Sequence, residues 1–196
     1  SKDFGMNKVS LDDIIGLSAY EQIRDKFHRE IIELKQKRRI AVGPRVSLVF
    51  ENRQTVIFQI QEMLRAERIS DLDKIREEIE VYNALIPGAG ELSAPMFLEI
   101  EDQSHLREEL LKFLGIDEAL FFDVGRDAIH ARFEEGRSKD DKISAVQYVR
   151  FPFTPETISA LRRGEPAQLR IDHPNYQAKA PISGPTRDSL LADLTS

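Results

Sequence analysis

The sequence predicts an α+β fold, with N-terminal helices packed on a mostly antiparallel sheet formed largely by the C-terminal half. Three observations carry this. Apolar residues recur at helical spacing through most of residues 18–86. Short alternating or β-branched runs dominate residues 95–182. Those runs follow one another too closely for parallel crossovers, which need about a dozen residues or more each.

Each element has a local reason. In "SAYEQIRDKFHREIIELKQKRR", Tyr20, Ile23, Phe27, Ile31 and Leu34 form one stripe, so a helix is expected over 18–37. Ser18 and Glu21 have capping-box spacing. Lys35, Lys37, Arg38 and Arg39 suit the negative end of that helix. "RIAVGPRVSLVF" places β-branched runs around Gly43-Pro44, which reads as a hairpin. A rival reading starts a helix after Pro44 and runs Val46, Val49, Phe50 and Arg53 into one stripe. A helix over 52–67 follows, then one capped by Ser70 with Leu72, Ile75, Ile79, Tyr82 and Ile86 as its stripe, stopped at Pro87-Gly88. "PMFLEIE" alternates Met96, Leu98 and Ile100 against Phe97, Glu99 and Glu101. A helix over 103–114 closes at Gly115, with Asp102 as N-cap. Strands are expected at "EALFFDV", "AIHARFE" and "ISAVQYVRF". Thr154 caps a short helix that carries Pro155 at its first position and ends at Gly164. "AQLRID" and "YQAKAPI" are strands flanking a turn, and "TRDSLLADL" is a terminal helix. Residues 1–5 read as an expression scar, and residues 6–196 as a single domain.

Composition narrows the function classes. The net charge is −6, which disfavours general nucleic-acid binding. With no cysteine in the sequence, disulfides, thiolate catalysis and Cys-ligated metal centres fall away. That fits a reducing compartment, so a cytoplasmic protein is expected. No apolar run approaches the roughly 20 residues that span a bilayer, so no membrane association is expected.

The helix over 52–67 holds the most informative polarity. At 100° per residue, Val56, Ile57, Ile60, Met63 and Leu64 share the core arc, and Arg53 falls in its middle. Asn52, Thr55, Gln59 and Glu62 form a polar line beside it. Gln54, Gln61 and Arg65 lie on an outer face. Phe58 points away from the core arc, which calls for a second contact from the same chain or from a partner subunit. Phe58 is therefore the interface candidate for a homodimer. The plain reading pairs Glu62 with Arg65 at i+3 on the surface; a buried Glu62 would instead need arginine or amide partners.

"LVFENRQTVIFQIQEMLRAERI", "YNALIP", "AVQYVRF" and "DHPNY" together resemble an uncharacterised bacterial family, the domain of unknown function 3501 family. The resemblance covers nearly all of the chain after residue 5. It implies no activity and carries over no catalytic residue. Members are encoded near rubrerythrin-like and iron–sulfur redox proteins, so the resemblance implies a redox or oxidative-stress context and a redox-protein partner.

Other motifs have bland and functional readings. Asp25/His28, Asp102/His105 and Asp127/His130 share Asp-x-x-His spacing. Only the first pair lies mid-helix, and the later half lacks bundle-length helices, so a di-iron site does not fit. In "DHPNY", His173 is either an exposed turn residue or a titrating group oriented by Asp172, with Tyr176 adding a hydroxyl. Glu99 and Glu101 are either a solvated strand face or paired carboxylates. "KQKRRIAVGPR" is either a solvated basic helix end or a cluster that meets phosphate or nucleic acid. "GAG" at 88–90 lacks the strand and helix of a dinucleotide fingerprint.

Three functional expectations follow. The first is a non-enzymatic accessory or ligand-binding protein, homodimeric and working beside redox partners. The second is an enzyme with a small polar pocket built from Arg53, Gln59 and Glu62, helped by Asn83, Glu99, His173 or Tyr176, acting on a small polar or anionic ligand. The third is a metal-binding protein using Asp, Glu and His ligands. Neither a specific metal site nor a cofactor is assigned by any motif.

Overall fold

The computed structural model describes residues 6–134, 138–139 and 142–195. The expression-scar reading of residues 1–5 lies outside the described residues. Helix α1 (Leu17–Gln36) leads into the hairpin β1 (Arg39–Ala41) and β2 (Val46–Val49). Helices α2 (Arg53–Ala66) and α3 (Leu72–Asn83) precede β3 (Glu91–Leu98) and α4 (Leu106–Leu111). Then come β4 (Leu120–Val124), β5 (Asp127–His130), β6 (Arg132–Phe133), β7 (Ser138–Lys139), β8 (Lys142–Ile143) and β9 (Val146–Pro152). Helix α5 (Pro155–Arg162), β10 (Ala167–His173), β11 (Tyr176–Pro181) and α6 (Gly184–Thr195) complete the order.

The predicted α+β class holds. A five-stranded sheet runs β1-β2-β3-β9-β6 and a four-stranded sheet runs β11-β10-β4-β5, with β7-β8 as a small ribbon. Every described strand pair is antiparallel. The inner faces of the two larger sheets meet in one core, where the Phe122 ring stands edge-on to Phe151 at 5.7 Å and Phe50 lies 6.0 Å from Phe151. Leu190 and Leu194 of α6 and Leu161 of α5 close that core.

A second core belongs to the N-terminal helices: Val56, Ile60 and Leu64 of α2, Ile79 of α3, and Ile86 beyond it. Val9 completes it, from the segment before α1 that carries a 3-10 turn at Leu11–Asp13. Amide side chains hold that segment as a neighbouring strand would. Asn83 accepts from the Val9 N–H at 2.8 Å and donates to its carbonyl at 2.9 Å. Gln61 treats Ile15 the same way, at 2.8 and 3.2 Å. The helical wheel put Gln61 on an outer face; it is buried because the 9–15 segment covers that face. Sequence periodicity detects apolar stripes and is blind to a polar side chain satisfied by a distant backbone.

The caps need two corrections. The capping box at Ser18 and Glu21 does not form, because the N-cap of α1 is Gly16, two residues before Ser18. Asp71, not Ser70, caps α3 through the Asp73 N–H. Asn52 and Thr154 cap α2 and α5 with side-chain acceptors, and Asp102 caps a single 3-10 turn, Gln103–His105, that runs into α4. The hairpin reading holds and the rival helix after Pro44 does not. Gly43 sits at φ +75, where a Cβ would collide with the Tyr176 hydroxyl. That hydroxyl donates to Val42 O at 2.5 Å and accepts from the Arg45 N–H at 3.1 Å, which pins the turn.

The basic run after α1 is not uniformly solvated. Arg38 has 0% exposure. Its Nε donates to Phe50 O at 2.7 Å, and its two terminal nitrogens reach Glu51 O at 3.1 Å and Ser189 Oγ at 2.9 Å. It also pairs with Asp193 of α6, whose carboxyl burial pushes up against the pull of the guanidinium. One side chain thus joins the β2–α2 junction to the C-terminal helix.

Two stability predictions follow. Arg38→Met should destabilise by about 3–5 kcal/mol in urea unfolding, because it strands a buried carboxylate. Adding Asp193→Leu should recover only part of that, since the carbonyls of Phe50 and Glu51 stay unbonded. Asn83→Ala should cost about 1–3 kcal/mol by leaving the Val9 backbone pair unsatisfied. It should also raise hydrogen exchange at residues 9–15 before the strands respond.

Candidate functional site

The predicted pocket does not assemble as one site. Arg53 opens α2 and turns outward to Asp13 at 2.6 Å, with its Nε buried and unbonded among the described residues. It is half-exposed because the first turn of α2 lies where the core arc meets solvent. Asn83 is spent on Val9. Glu99 accepts from the Ser47 hydroxyl at 3.0 Å. It does not share a strand face with Glu101, because the chain leaves the sheet at Leu98. His173 is buried rather than exposed in its turn. Its Nδ1 accepts from the Asn175 N–H at 3.1 Å, and its Nε2 lies 2.7 Å from Leu114 O. Both ring nitrogens are therefore engaged by backbone, and Asp172 does not orient the ring. Tyr176 is committed to the hairpin turn.

Gln59 and Glu62 do come together, in a cleft of about 330 Å³ between α2 and the outer face of the five-stranded sheet. Strand register builds the floor. Arg39 pairs across from Val49, Phe97 from Val146, and Pro95 from Tyr148, so all six project from the same face. Phe58, Gln59 and Glu62 of α2 form one wall, Lys35 enters from the end of α1, and Glu51 lines the inner end.

Phe58 has found its second contact within the chain. The Phe27 ring stands edge-on to it at 5.5 Å, and His28 stacks on it at 5.7 Å. Lys35 Nζ sits 5.9 Å from its centroid, within cation–π reach. Glu62 is held by Arg24, at 2.8 and 2.9 Å, and by the Tyr20 hydroxyl at 2.7 Å. The arginine pair, helped by that hydroxyl, brings the Glu62 carboxyl down to about 2. Burial, reinforced by Glu62, pushes the Tyr20 hydroxyl up.

Glu51 is the residue that sequence reasoning passed over. It is 6% exposed and accepts a hydrogen bond from the Thr55 hydroxyl. Burial pushes its carboxyl up, against the Thr55 bond and the charges of Lys35 and Arg38. Glu51 and Tyr148 also border a narrow void lined by Leu85, Ser93, Glu134 and Arg150, so they partition the space beneath the helices. The available signal was local: Glu51 directly follows Val46–Phe50, a run that is apolar except for Ser47 and is read as a strand.

The Asp-x-x-His pairs remain apart. His28 stacks on Phe58, His105 bonds Asp102 inside a helix cap at 2.8 Å, and His130 stacks on Phe121 at 5.1 Å. Among the described residues no group of three or more His, Asp or Glu side chains is placed to hold a metal ion. No helix among them is long and apolar enough to cross a membrane.

The Glu62 carboxyl gives a pH signature. Its value falls from 4.5 to about 2 on folding, so its stabilisation is complete above pH 4.5 and disappears as the pH drops towards 2. Solvent screening limits the contribution to about 1 kcal/mol. Glu62→Gln should therefore lower Tm by about 2–4 °C at pH 7. Scanning calorimetry should show the gap to wild type closing through that acid window.

Comparison with known proteins adds the family and no activity. A crystal structure described as a novel protein of unknown function from Burkholderia pseudomallei K96243 is 31% identical. It superposes with a TM-score of 0.89, covering 96% of this chain and all of that one. No curated protein matches the chain. The model of the family "Protein of unknown function (DUF3501)" matches residues 8–194, and the chain belongs to that family.

Proposed function

We propose that the protein is a non-enzymatic ligand-binding protein whose site is the cleft between α2 and the outer face of the five-stranded sheet. The observation that supports this most is the chemistry gathered there. An apolar floor of Val49, Pro95, Phe97 and Val146 is ringed by Lys35, Arg39, Gln59 and the buried Glu51. Small-molecule sites combine an apolar body with a few convergent polar groups in this way. The volume falls at the small end of the roughly 300–1,000 Å³ typical of such sites, which favours a small ligand.

A catalytic version has one observation in its favour. Glu51 is a buried carboxyl held above the usual carboxylate range at the inner end of a cleft, as a general acid or base would be. Under that version Glu51→Gln keeps ligand binding and loses turnover.

The biological setting is also part of the proposal. Work beside redox partners rests on the family resemblance, and a cytoplasmic location on the absence of cysteine. The homodimer no longer has Phe58 as its motive, since α1 of the same chain covers that ring. Light scattering decides it directly: a mass of one chain removes the dimer from the proposal.

A thermal-shift panel of small neutral, cationic and anionic organic molecules tests the site. A true ligand at about a hundred times its Kd stabilises by about 2.7 kcal/mol. Tm should then rise by roughly 5–10 °C. Val146→Trp, which fills the cleft, should abolish the rise. Absence of any shift across the panel, or a shift that survives Val146→Trp, would defeat the reading.

A further inference from the structure

The class of ligand follows from which polar groups around the cleft are already engaged. The neighbouring arginines are all paired: Arg24 with Glu62, Arg38 with Asp193, Arg53 with Asp13, and Arg150 with Glu91. Lys35 and Arg39, the two cations that line the cleft, have neither an ion pair nor a hydrogen bond among the described residues. The Gln59 amide is likewise unbonded among them.

Resting on the cleft being the ligand site, we propose that its ligand is a small organic monocarboxylate with an apolar body. The carboxylate sits between Lys35 and Arg39, and the body lies against Phe97, Pro95 and Val146. A lysine ammonium and an arginine fork together supply charge-assisted hydrogen bonds to a planar carboxylate.

The remaining groups argue for one negative charge and no positive one. Glu62 already carries its charge against Arg24 and Tyr20, so it offers little to a cationic ligand. Glu51 is tied to the Thr55 hydroxyl, so its carboxyl is already engaged and is not free to meet an ammonium. A phosphate would leave the apolar floor of Val49, Pro95, Phe97 and Val146 uncovered. Lys35 is steered to its place by the Phe58 ring, which shortens the search for the anion.

Calorimetric titration of the full chain separates this inference from the reading beneath it. The probes are benzoate, phenylacetate and 4-methylpentanoate, with benzamide, phenylacetamide, benzylamine and inorganic phosphate as counterparts. The carboxylates should bind at least about tenfold more tightly than the matching amides. Lys35→Met and Arg39→Met should each remove about that factor, erasing the preference for carboxylate over amide. Val146→Trp should remove carboxylate binding altogether.

Amides or benzylamine that bind as tightly as the carboxylates, and are blocked by Val146→Trp, would overturn the ligand class and leave the cleft reading standing. Phosphate binding without carboxylate binding would do the same. If no probe of any class binds, the cleft reading fails and the ligand class with it.

Discussion

A fully buried guanidinium is the constraint on which the arrangement depends. Arg38 leaves α1 and is enclosed before β1 begins. Burying a charge there is tolerable only because each nitrogen finds a partner: the carbonyls of Phe50 and Glu51, the Ser189 hydroxyl and the Asp193 carboxylate. Those partners come from the exit of β2 and from the last helix. The same side chain therefore fixes how the hairpin turns into α2 and how α6 closes the sheet core. Such a pair need not raise stability above an apolar replacement; its value is in specifying one arrangement.

The cleft is a consequence of that junction. Glu51 directly follows Phe50, and both of their carbonyls bind Arg38, so the backbone position of Glu51 is set from behind. From in front, the Thr55 hydroxyl orients its carboxyl, while Thr55 and Asn52 exchange the reciprocal bonds that start α2. Helix α2 then runs above the sheet with Phe58, Gln59 and Glu62 along one edge. Helix α1 buries few side chains of its own, Tyr20 and Ile31, yet it supplies the groups that finish the wall. Its Arg24 pairs with Glu62, its Tyr20 hydroxyl donates to the same carboxylate, and its Phe27 and His28 cover Phe58.

Much of this architecture was legible as pattern. Period-3.6 stripes located α1, α2 and α3, β-branched runs around Gly43-Pro44 located the hairpin, and Thr154-Pro155 located α5. The angular reading of α2 also singled out Gln59, Glu62 and Phe58, which do border the cleft. What sequence could not supply was distance along the chain. Glu62 meets Arg24, Arg38 meets Asp193, and Gln61 meets the backbone of Ile15, none of them near neighbours in sequence. Arg53, central on the wheel, escapes to Asp13 because it is the first residue of α2, ahead of the buried Val56, Ile60 and Leu64. His173 and Tyr176 looked chemical as a motif, yet they serve backbone turns. Lys35 and Arg39 read as a solvated helix end; Arg39 is indeed exposed, and both also line a cleft that exists only once the sheet's outer face is built.

Amide chemical-shift mapping with benzoate tests the central claim, that the space between α2 and the outer sheet face receives a small organic acid. The account predicts saturable shifts centred on Lys35, Arg39, Phe58, Gln59, Phe97, Val146 and Tyr148. Shifts centred instead on the Asp123–Arg170 face of the four-stranded sheet, or none at any residue, would contradict it.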